Sequence, residues 1–350
     1  TMRRYTALFI GLILTLTALT GCEKKPAGLF YELTGIDPAA AMLTVEGREV
    51  SAERYLYWVL DAADYIAGTF PELCEADGTP KWEAEAEPGV TVEDFILRDA
   101  LDTAKMYVIV EKWAEEYGVT LSEASEEALK QELAAAAEQM GGQEAMGRYL
   151  ASRGITEESY RWMARLFYLY ANMLSLTKEE GSPLYISDET LYQYEDITPE
   201  TVLADHILLL FPEDESQREA ARESMEQVLS TIRSDEDPAA AFQFVADNYS
   251  EDEGRAYYPN GYLVTADAPY VQTFKDTALT LEEYEISDVV ESEFGWHIIM
   301  RKPLRDYVAD VYLAEQITEA MEQAEVEWGD CAAEFSVEAF YEGYLTREEE

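Results

Sequence analysis

The most informative stretch of the chain is FGWHII at residues 294–299, where a histidine lies among apolar residues. Such a run predicts a buried β-strand, here at about residues 296–301. A second run, VLADHILLLF, predicts another strand at residues 202–211 with His206 inside it. The chain has only two histidines, so both lie in predicted strands.

Short helices and strands alternate around these two strands. Helices are predicted at about 216–232, 239–248 and 271–278, and further strands at 262–264 and 286–290. The flanking sequence is mostly helical, with a hairpin and helix at 42–67, a Pro- and Gly-rich loop at 71–89, helices at 92–117, 122–140, 143–152 and 157–176, and a last helix at 305–328. This order predicts an α+β fold, in which a small antiparallel sheet flanked by helices is inserted into a mostly helical domain.

The chain is long and strongly acidic. Its 350 residues carry 25 Lys and Arg against 72 Asp and Glu, a formal net charge of −47. The length allows two domains. The charge argues against nucleic-acid binding, which depends on Lys and Arg that neutralise phosphates, and it favours cationic chains as partners. The sequence has no zinc-ligand spacing, P-loop or catalytic-triad motif, so no metal and no other cofactor is predicted.

The first residues have the pattern of an export signal. Arg3 and Arg4 precede an apolar run at 7–19, and LTGC at residues 19–22 resembles a bacterial lipobox. The resemblance implies a signal peptide at 1–21, lipidation of Cys22 and a tether to residue 40. An ordinary signal peptide with a chance cysteine and an uncleaved anchor are the alternatives. The sequence leaves open whether Cys74 and Cys331 form a disulfide.

Four stretches together resemble the parvulin-type peptidyl-prolyl cis/trans isomerases of the exported PrsA- and SurA-like foldases. They are ADHIL at 204–208, FVADNYSED at 244–252, FKDTAL at 274–279 and FGWHII at 294–299. The four stretches occur in the order that the family has. The resemblance therefore implies a parvulin-like domain around the predicted sheet.

The resemblance also implies a domain plan and an activity. The plan is a SurA_N-like helical chaperone domain at 41–198, a PpiC-like isomerase domain at 199–303, and a C-terminal helix and acidic tail at 304–350 that pack on the helical domain. The implied protein is a membrane-anchored, extracytoplasmic foldase that isomerises X–Pro bonds in unfolded secreted polypeptides without a cofactor, and a homodimer is left open. The alternative is a holdase chaperone with a passive or degraded parvulin domain, because residues 257–261 lack the family's double glycine.

Seven site residues follow from the same resemblance. The catalytic ones are His206, Asp252 and His297, and those at the proline slot are Leu263, Tyr270, Phe274 and Ser292. The histidines would form a hydrogen-bonded pair that polarises the pocket, or would mainly hold the sheet together. Asp252 would face the rotating carbonyl, or would be a solvated carboxylate of an acidic loop. Residues 211–215, FPEDE, argue against the subtype that binds phosphoserine before proline, because carboxylates repel phosphate.

Overall fold

The structure, a computed structural model, describes residues 27–348, and Cys22 lies outside them. The chain divides into two compact units. Unit 1 comprises the residues up to Met173 together with those from Glu315 onwards, and unit 2 comprises Leu174–Ala314. Unit 2 is therefore inserted into the sequence of unit 1.

The described part of unit 1 begins with a short helix and a hairpin and continues mainly as helices. Its elements are α1 (Leu29–Thr34), β1 (Ala41–Val45), β2 (Arg48–Ser51), α2 (Ala52–Thr69), β3 (Glu85–Glu87), β4 (Val90–Thr91), α3 (Val92–Glu116), α4 (Glu123–Gln139), α5 (Gln143–Ser152) and α6 (Glu157–Leu176). Thr91 starts α3, because its Oγ1 accepts the backbone N–H of Asp94 at 3.1 Å. This cap satisfies a donor that the first helical turn leaves without a partner.

Unit 2 follows with a longer series of short elements. They are α7 (Asp188–Leu191), β5 (Val202–Leu210), α8 (Arg218–Arg233), α9 (Pro238–Tyr249), β6 (Tyr262–Val264), α10 (Gln272–Thr280), β7 (Val290–Glu291) and β8 (Gly295–Lys302). The chain then enters α11 (Arg305–Gln323), within which unit 2 ends and unit 1 resumes. Unit 1 is completed by β9 (Val326–Trp328) and α12 (Val337–Glu348).

The sheet of unit 2 is antiparallel, in the strand order β6-β5-β8-β7. Along the pairing of β5 with β8, His206 lies opposite Ile299 and Leu208 lies opposite His297. Side chains alternate between the two faces of a strand. One face packs Ile207 and Ile298 against α8 and α9, and the other packs Ile299 and Phe274 with α10. Both histidines therefore lie on the α10 face.

The sheet of unit 1 joins two distant parts of the chain. Its order is β2-β1-β9, with Leu43 of β1 opposite Trp328 of β9. The predicted helix at 305–328 is therefore wrong at its end, since α11 stops at Gln323 and residues 326–328 pair as a strand. Periodicity in a short window carries no signal for a partner strand this far away in sequence.

Two further predictions differ from the structure, and the structure also answers a question that the sequence left open. The predicted loop at 71–89 contains a 3₁₀ turn, Pro71–Leu73, and the strand β3, which pairs with β4. The predicted strand at 286–290 is reduced to β7, Val290–Glu291, with an isolated bridge between Ile286 and Met300. Cys74 and Cys331 are both free thiols, so they do not form a disulfide.

The fold class is confirmed as α+β, with a mostly helical part and an inserted antiparallel sheet flanked by helices. Unit 2 is wider than the predicted isomerase domain of 199–303, because Ile186, Leu191 and Ile197 form one apolar cluster with Val308. Across residues 27–348, none of the helices combines the length and the apolar character needed to cross a bilayer.

Two phenylalanines on α9 test the core of unit 2. Phe242 is fully buried between α9 and the sheet, whereas Phe244, two residues later, is 60% exposed. We expect Phe242→Ala to lower the free energy of unfolding by about 3–5 kcal/mol, because it removes apolar contacts and leaves a cavity. Phe244→Ala should change it by about 0.5 kcal/mol or less. Hydrogen exchange of the β5 and β8 amides measures both effects. Equal losses of stability in the two variants would contradict the assignment of Phe242, and not Phe244, to the core of unit 2.

Candidate active site

A cavity of about 460 Å³ opens on the α10 face of the sheet in unit 2. Strands β5 and β8 contribute the two histidines, β6 contributes Tyr262, and α10 and the loop before it contribute an aromatic wall. The lining residues are His206, Leu208, Asp252, Tyr262, Pro269, Tyr270, Val271, Phe274, Glu293, Phe294 and His297. The cavity thus combines two carboxylates, two imidazoles and several aromatic rings.

The two imidazoles form the centre of a hydrogen-bonded chain. The Nδ1 atoms of His206 and His297 are 2.9 Å apart. On its other side, His206 Nε2 lies 2.7 Å from Asp252 Oδ2, and His297 Nε2 lies 2.6 Å from Ser292 Oγ. Both imidazoles are buried, with 8% and 2% of their residue surface exposed. Every ring nitrogen of the pair therefore has a partner.

With both imidazoles neutral, these contacts fix the direction of each hydrogen bond. A carboxylate only accepts, so His206 donates from Nε2 to Asp252. In a neutral imidazole the other nitrogen is an acceptor, so His206 Nδ1 accepts the proton of His297 Nδ1. His297 Nε2 then accepts from the hydroxyl of Ser292. All donors in the chain point towards the Asp252 carboxylate.

Asp252 is a structured carboxylate, not a solvated one. It accepts hydrogen bonds from His206, from the hydroxyl of Tyr262 and, at 3.0 Å, from the backbone N–H of Gly254. Burial alone would raise the pKa of Asp252, but the hydrogen bonds from His206 and Tyr262 outweigh burial and hold the pKa well below its ordinary value. Burial and the neighbouring carboxylate raise the pKa of Tyr262, which keeps its phenol protonated as a donor.

His297 is held in its neutral form. Burial lowers the pKa of His297 to about 4, and the neighbouring His206 acts in the same direction. A neutral His297 can accept from Ser292 and donate to His206 at the same time. His297 therefore adds no positive charge beside the ionised Asp252.

Aromatic rings build the apolar wall of the cavity. The ring centroid of Phe274 lies 5.0 Å from that of His206 and 5.8 Å from that of Tyr270. Tyr262 packs edge-on against Tyr270 at 5.5 Å. Phe274 is only 3% exposed, whereas Phe294 at the rim is 54% exposed. This arrangement gives an apolar floor that a small ring can pack against, beside a fixed carboxylate.

The structure brings most of the predicted site residues together. His206, Asp252, His297, Tyr270 and Phe274 all line the cavity. Ser292 does not line it but lies behind His297, which it contacts through its hydroxyl. What these residues do remains a proposal, and Cys22 lies outside the described residues.

Leu263 does not belong to the slot, which corrects the prediction. It packs instead with Val308 and neighbouring apolar residues. Its neighbour Tyr262 lines the cavity and had been missed. Tyr262 pairs with Ala204, which lies two residues before His206 on β5. Tyr262 and His206 therefore lie on the same face of the sheet, the α10 face, and the strand register is the signal that could have identified Tyr262 as a lining residue.

The remaining lining residues also escaped sequence reasoning. They are Leu208, Pro269, Val271, Glu293 and Phe294. Leu208 and Phe294 lie at the ends of stretches that were recognised, and the other three are each adjacent in sequence to such a stretch or to a predicted site residue. Between residues 27 and 348 there is no group of three or more His, Cys, Asp or Glu side chains arranged to hold a metal ion.

The neutral state of His297 predicts that acid destabilises unit 2. The pKa is about 4 in the folded chain against an ordinary 6.5, so the unfolded chain binds the proton first as the pH falls. The free energy of unfolding therefore drops as the pH falls through this window. We expect His297 to account for about 2 kcal/mol of loss between pH 7 and pH 5. Hydrogen exchange of the β8 amides at both pH values measures it.

His297→Asn is the control for this experiment, because it keeps a polar side chain but does not titrate. The difference between the two proteins measures His297 together with its contact to His206. In the variant, the free energy of unfolding should lose most of its dependence on pH between pH 7 and pH 5. An unchanged dependence in the variant would rule out His297 as its source.

Comparison with known proteins agrees with this geometry. Residues 206–302 match the family described as Rotamase: PPIC-type PPIASE domain. The chain is 36% identical to the Chaperone SurA of Pseudoalteromonas translucida over 92 residues, which are 26% of this chain and 21% of that protein. It is 26% identical to the Foldase protein PrsA of Oceanobacillus iheyensis over 270 residues, 76% of this chain and 82% of that protein.

Among solved structures, PrsA from Bacillus subtilis matches with a TM-score of 0.26 and 17% identity, covering 75% of this chain and 88% of that chain. The family match covers all the residues that line the cavity and most of the sheet, including both histidines, Asp252 and Phe274. Residues 206–302 are thus a PPIC-type, parvulin-like peptidyl-prolyl cis/trans isomerase domain, in a chain similar to the PrsA and SurA foldases.

Proposed function

We propose that this protein is a peptidyl-prolyl cis/trans isomerase and foldase that assists secreted polypeptides after they have crossed the membrane. The observation that carries the proposal is the Asp252 carboxylate, fixed by His206 and Tyr262 at the edge of an aromatic cavity. Proline is the substrate residue that this cavity suits, because its ring is small and apolar. The rings of Phe274 and Tyr270 are the surfaces on which the proline packs.

The chemistry requires no nucleophile. Rotation about an X–Pro bond is slow because it breaks the resonance of the amide, with a barrier of about 18–20 kcal/mol. The planar amide carries partial negative charge on its carbonyl oxygen, and the twisted amide loses part of it. A fixed carboxylate near that oxygen therefore disfavours the planar state relative to the twisted one. Catalysis then follows from this difference in stabilisation between the two states.

The hydrogen-bonded chain keeps the carboxylate in place during rotation. His206 and Tyr262 both donate to Asp252 and leave it ionised. Neutral His297 supports His206 from behind and adds no positive charge that would cancel the field of the carboxylate. In this proposal His206, Asp252 and His297 act together, and Ser292 orients His297.

We assign the protein to the outer face of the membrane, with Cys22 as its lipid anchor. The support is the lipobox-like LTGC at residues 19–22 and the similarity to PrsA and SurA proteins. Its partners in this proposal are unfolded or partly folded secreted polypeptides that contain X–Pro bonds, and a homodimer is compatible with it. The proposed domain limits remain 41–198, 199–303 and 304–350.

A holdase activity is the second candidate function, and a groove in unit 1 favours it. The groove has a volume of about 680 Å³, and its apolar walls include Met42, Leu97, Leu101, Trp328 and Phe335. Trp328 is 51% exposed, which leaves an aromatic surface free to contact an unfolded chain. Suppression of aggregation that persists without isomerase activity would select this function.

The isomerase activity is tested on a proline-containing tetrapeptide with the purified protein. We expect the wild type to accelerate cis/trans exchange, and Asp252→Ala to lower kcat/KM by about 10²-fold, the usual cost of losing one electrostatic group in an active site. Asp276→Ala is the matched control, because Asp276 is an exposed aspartate on α10 outside the cavity. No acceleration by the wild type above the uncatalysed rate would refute the isomerase proposal.

Lipidation is tested separately by growing cells with a labelled fatty acid. We expect the wild type to incorporate the label and sediment with membranes, and Cys22→Ser to do neither, because the acyl chain provides most of the membrane affinity. Cys331→Ser is the control, since it removes a cysteine of the folded part. Label that persists in Cys22→Ser would exclude Cys22 as the anchor.

A further inference from the structure

The turn that follows Asp252 carries a cation that points away from the cavity. Glu253–Ala256 form a 3₁₀ turn, and Arg255 lies within it. The Arg255 side chain is only 14% exposed and does not line the cavity. A charged side chain is seldom buried to this extent unless it is paired, so its partners identify its role.

Arg255 joins the turn to two other elements. Its Nη1 donates to Asp205 Oδ1 on β5, and its Nη2 donates to Asp247 Oδ1 on α9 at 2.5 Å. The Asp205 side chain is 1% exposed and also accepts the backbone N–H of His206 at 2.7 Å. One guanidinium therefore connects the site turn, the strand that carries His206, and α9.

This connection is made from the opposite face of the sheet. Asp205 and His206 are consecutive on β5, so their side chains point to opposite faces. Gln243 of α9 approaches Asp205 Oδ2 at 3.5 Å, which agrees with Asp205 facing α9 while His206 faces α10. Arg255 thus holds the turn from behind, while Asp252 contacts the imidazole in front.

Asp252 depends on the position of this turn. Its Oδ2 must meet His206 Nε2 and the Tyr262 hydroxyl together, and its Oδ1 accepts the N–H of Gly254 inside the turn. The guanidinium hydrogen bonds go to Asp205, to Asp247 and, at 3.4 Å, to the backbone carbonyl of His206, so Arg255 acts on Asp252 through the backbone and not by direct contact.

We propose that Arg255, anchored on Asp205 and Asp247, is the positioning residue that holds the Asp252 carboxylate against His206. This inference rests on the proposed isomerase function for its kinetic consequence. The geometry itself is independent of that function, and so is one part of the test.

The kinetic test is a double-mutant cycle in the full-length protein, on a proline-containing tetrapeptide. We expect Arg255→Gln to lower kcat at least about tenfold with KM changed less than about twofold, because the proline wall remains intact. In an Asp252→Ala background, the same change should lower kcat by less than about twofold, because the group that Arg255 positions is already absent.

Three variants keep the test independent of folding. Arg255→Gln leaves Asp205 buried without its cation, which destabilises the fold, so Asp205→Asn with Arg255→Gln removes both charges together. Arg255→Lys keeps a charge near Asp205 but loses the two-armed contact, and should fall between the wild type and Arg255→Gln. Arg233→Gln is the matched control, because Arg233 likewise bridges an aspartate, Asp288, and a backbone carbonyl, that of Ile286.

A spectroscopic measurement separates this inference from the proposed function. The Nε2 proton of His206, hydrogen-bonded to Asp252, should give a downfield NMR signal in the wild type and in Arg233→Gln, and should be lost in the Arg255→Gln proteins. A wild type without isomerase activity would refute the proposed function, and the NMR signal would still decide the inference. The inference about Arg255 would be overturned if Arg255→Gln lowered kcat equally in the wild type and in the Asp252→Ala background. It would also be overturned if Arg255→Gln left the NMR signal unchanged.

Discussion

Two imidazole nitrogens 2.9 Å apart can share only one proton, and the site of this protein is organised around that restriction. One Nδ1 must donate and the other must accept, so each ring is held in one tautomer. The far nitrogens then need partners of opposite kind, and Ser292 and Asp252 supply them. A proton displaced at one end would require a change at every link, which is why a buried serine matters to a carboxylate at the other end of the hydrogen-bonded series.

Strand pairing in the sheet positions the residues of this hydrogen-bonded series. His206 and His297 meet only because β5 and β8 pair with Leu208 opposite His297, and a slip by one residue would turn one ring to the opposite face. Gly295 allows this pairing, since a Cβ there would collide with the backbone carbonyl of Leu209. The apolar clusters on both faces of β8 then hold the strand in place. Precision at the site is thus a property of ordinary strand pairing and packing.

Sequence reasoning recovered the parts of the site that have local signals. Both histidines were found because each lies in a strand-like run, and Asp252 and Phe274 were found through motifs. Leu263 was assigned in place of Tyr262 because the face of a three-residue strand is set by its partner strand, and a comparison of motifs does not contain the register. The contact of Arg255 with Asp205 joins residues fifty positions apart and has no local pattern at all. Strand β9 was missed for the same reason.

The division of the chain between the units sets an order of events for a polypeptide that emerges from its N-terminus. Unit 2 is one continuous segment, so it has all its strands once residue 302 is available. Unit 1 lacks the third strand of its sheet until residues 326–328 arrive, and lacks α12 until later still. Domains generally fold as units when their residues become available. Unit 2, which contains the active-site cavity, therefore folds first. Unit 1, which contains the apolar groove, is the last to fold.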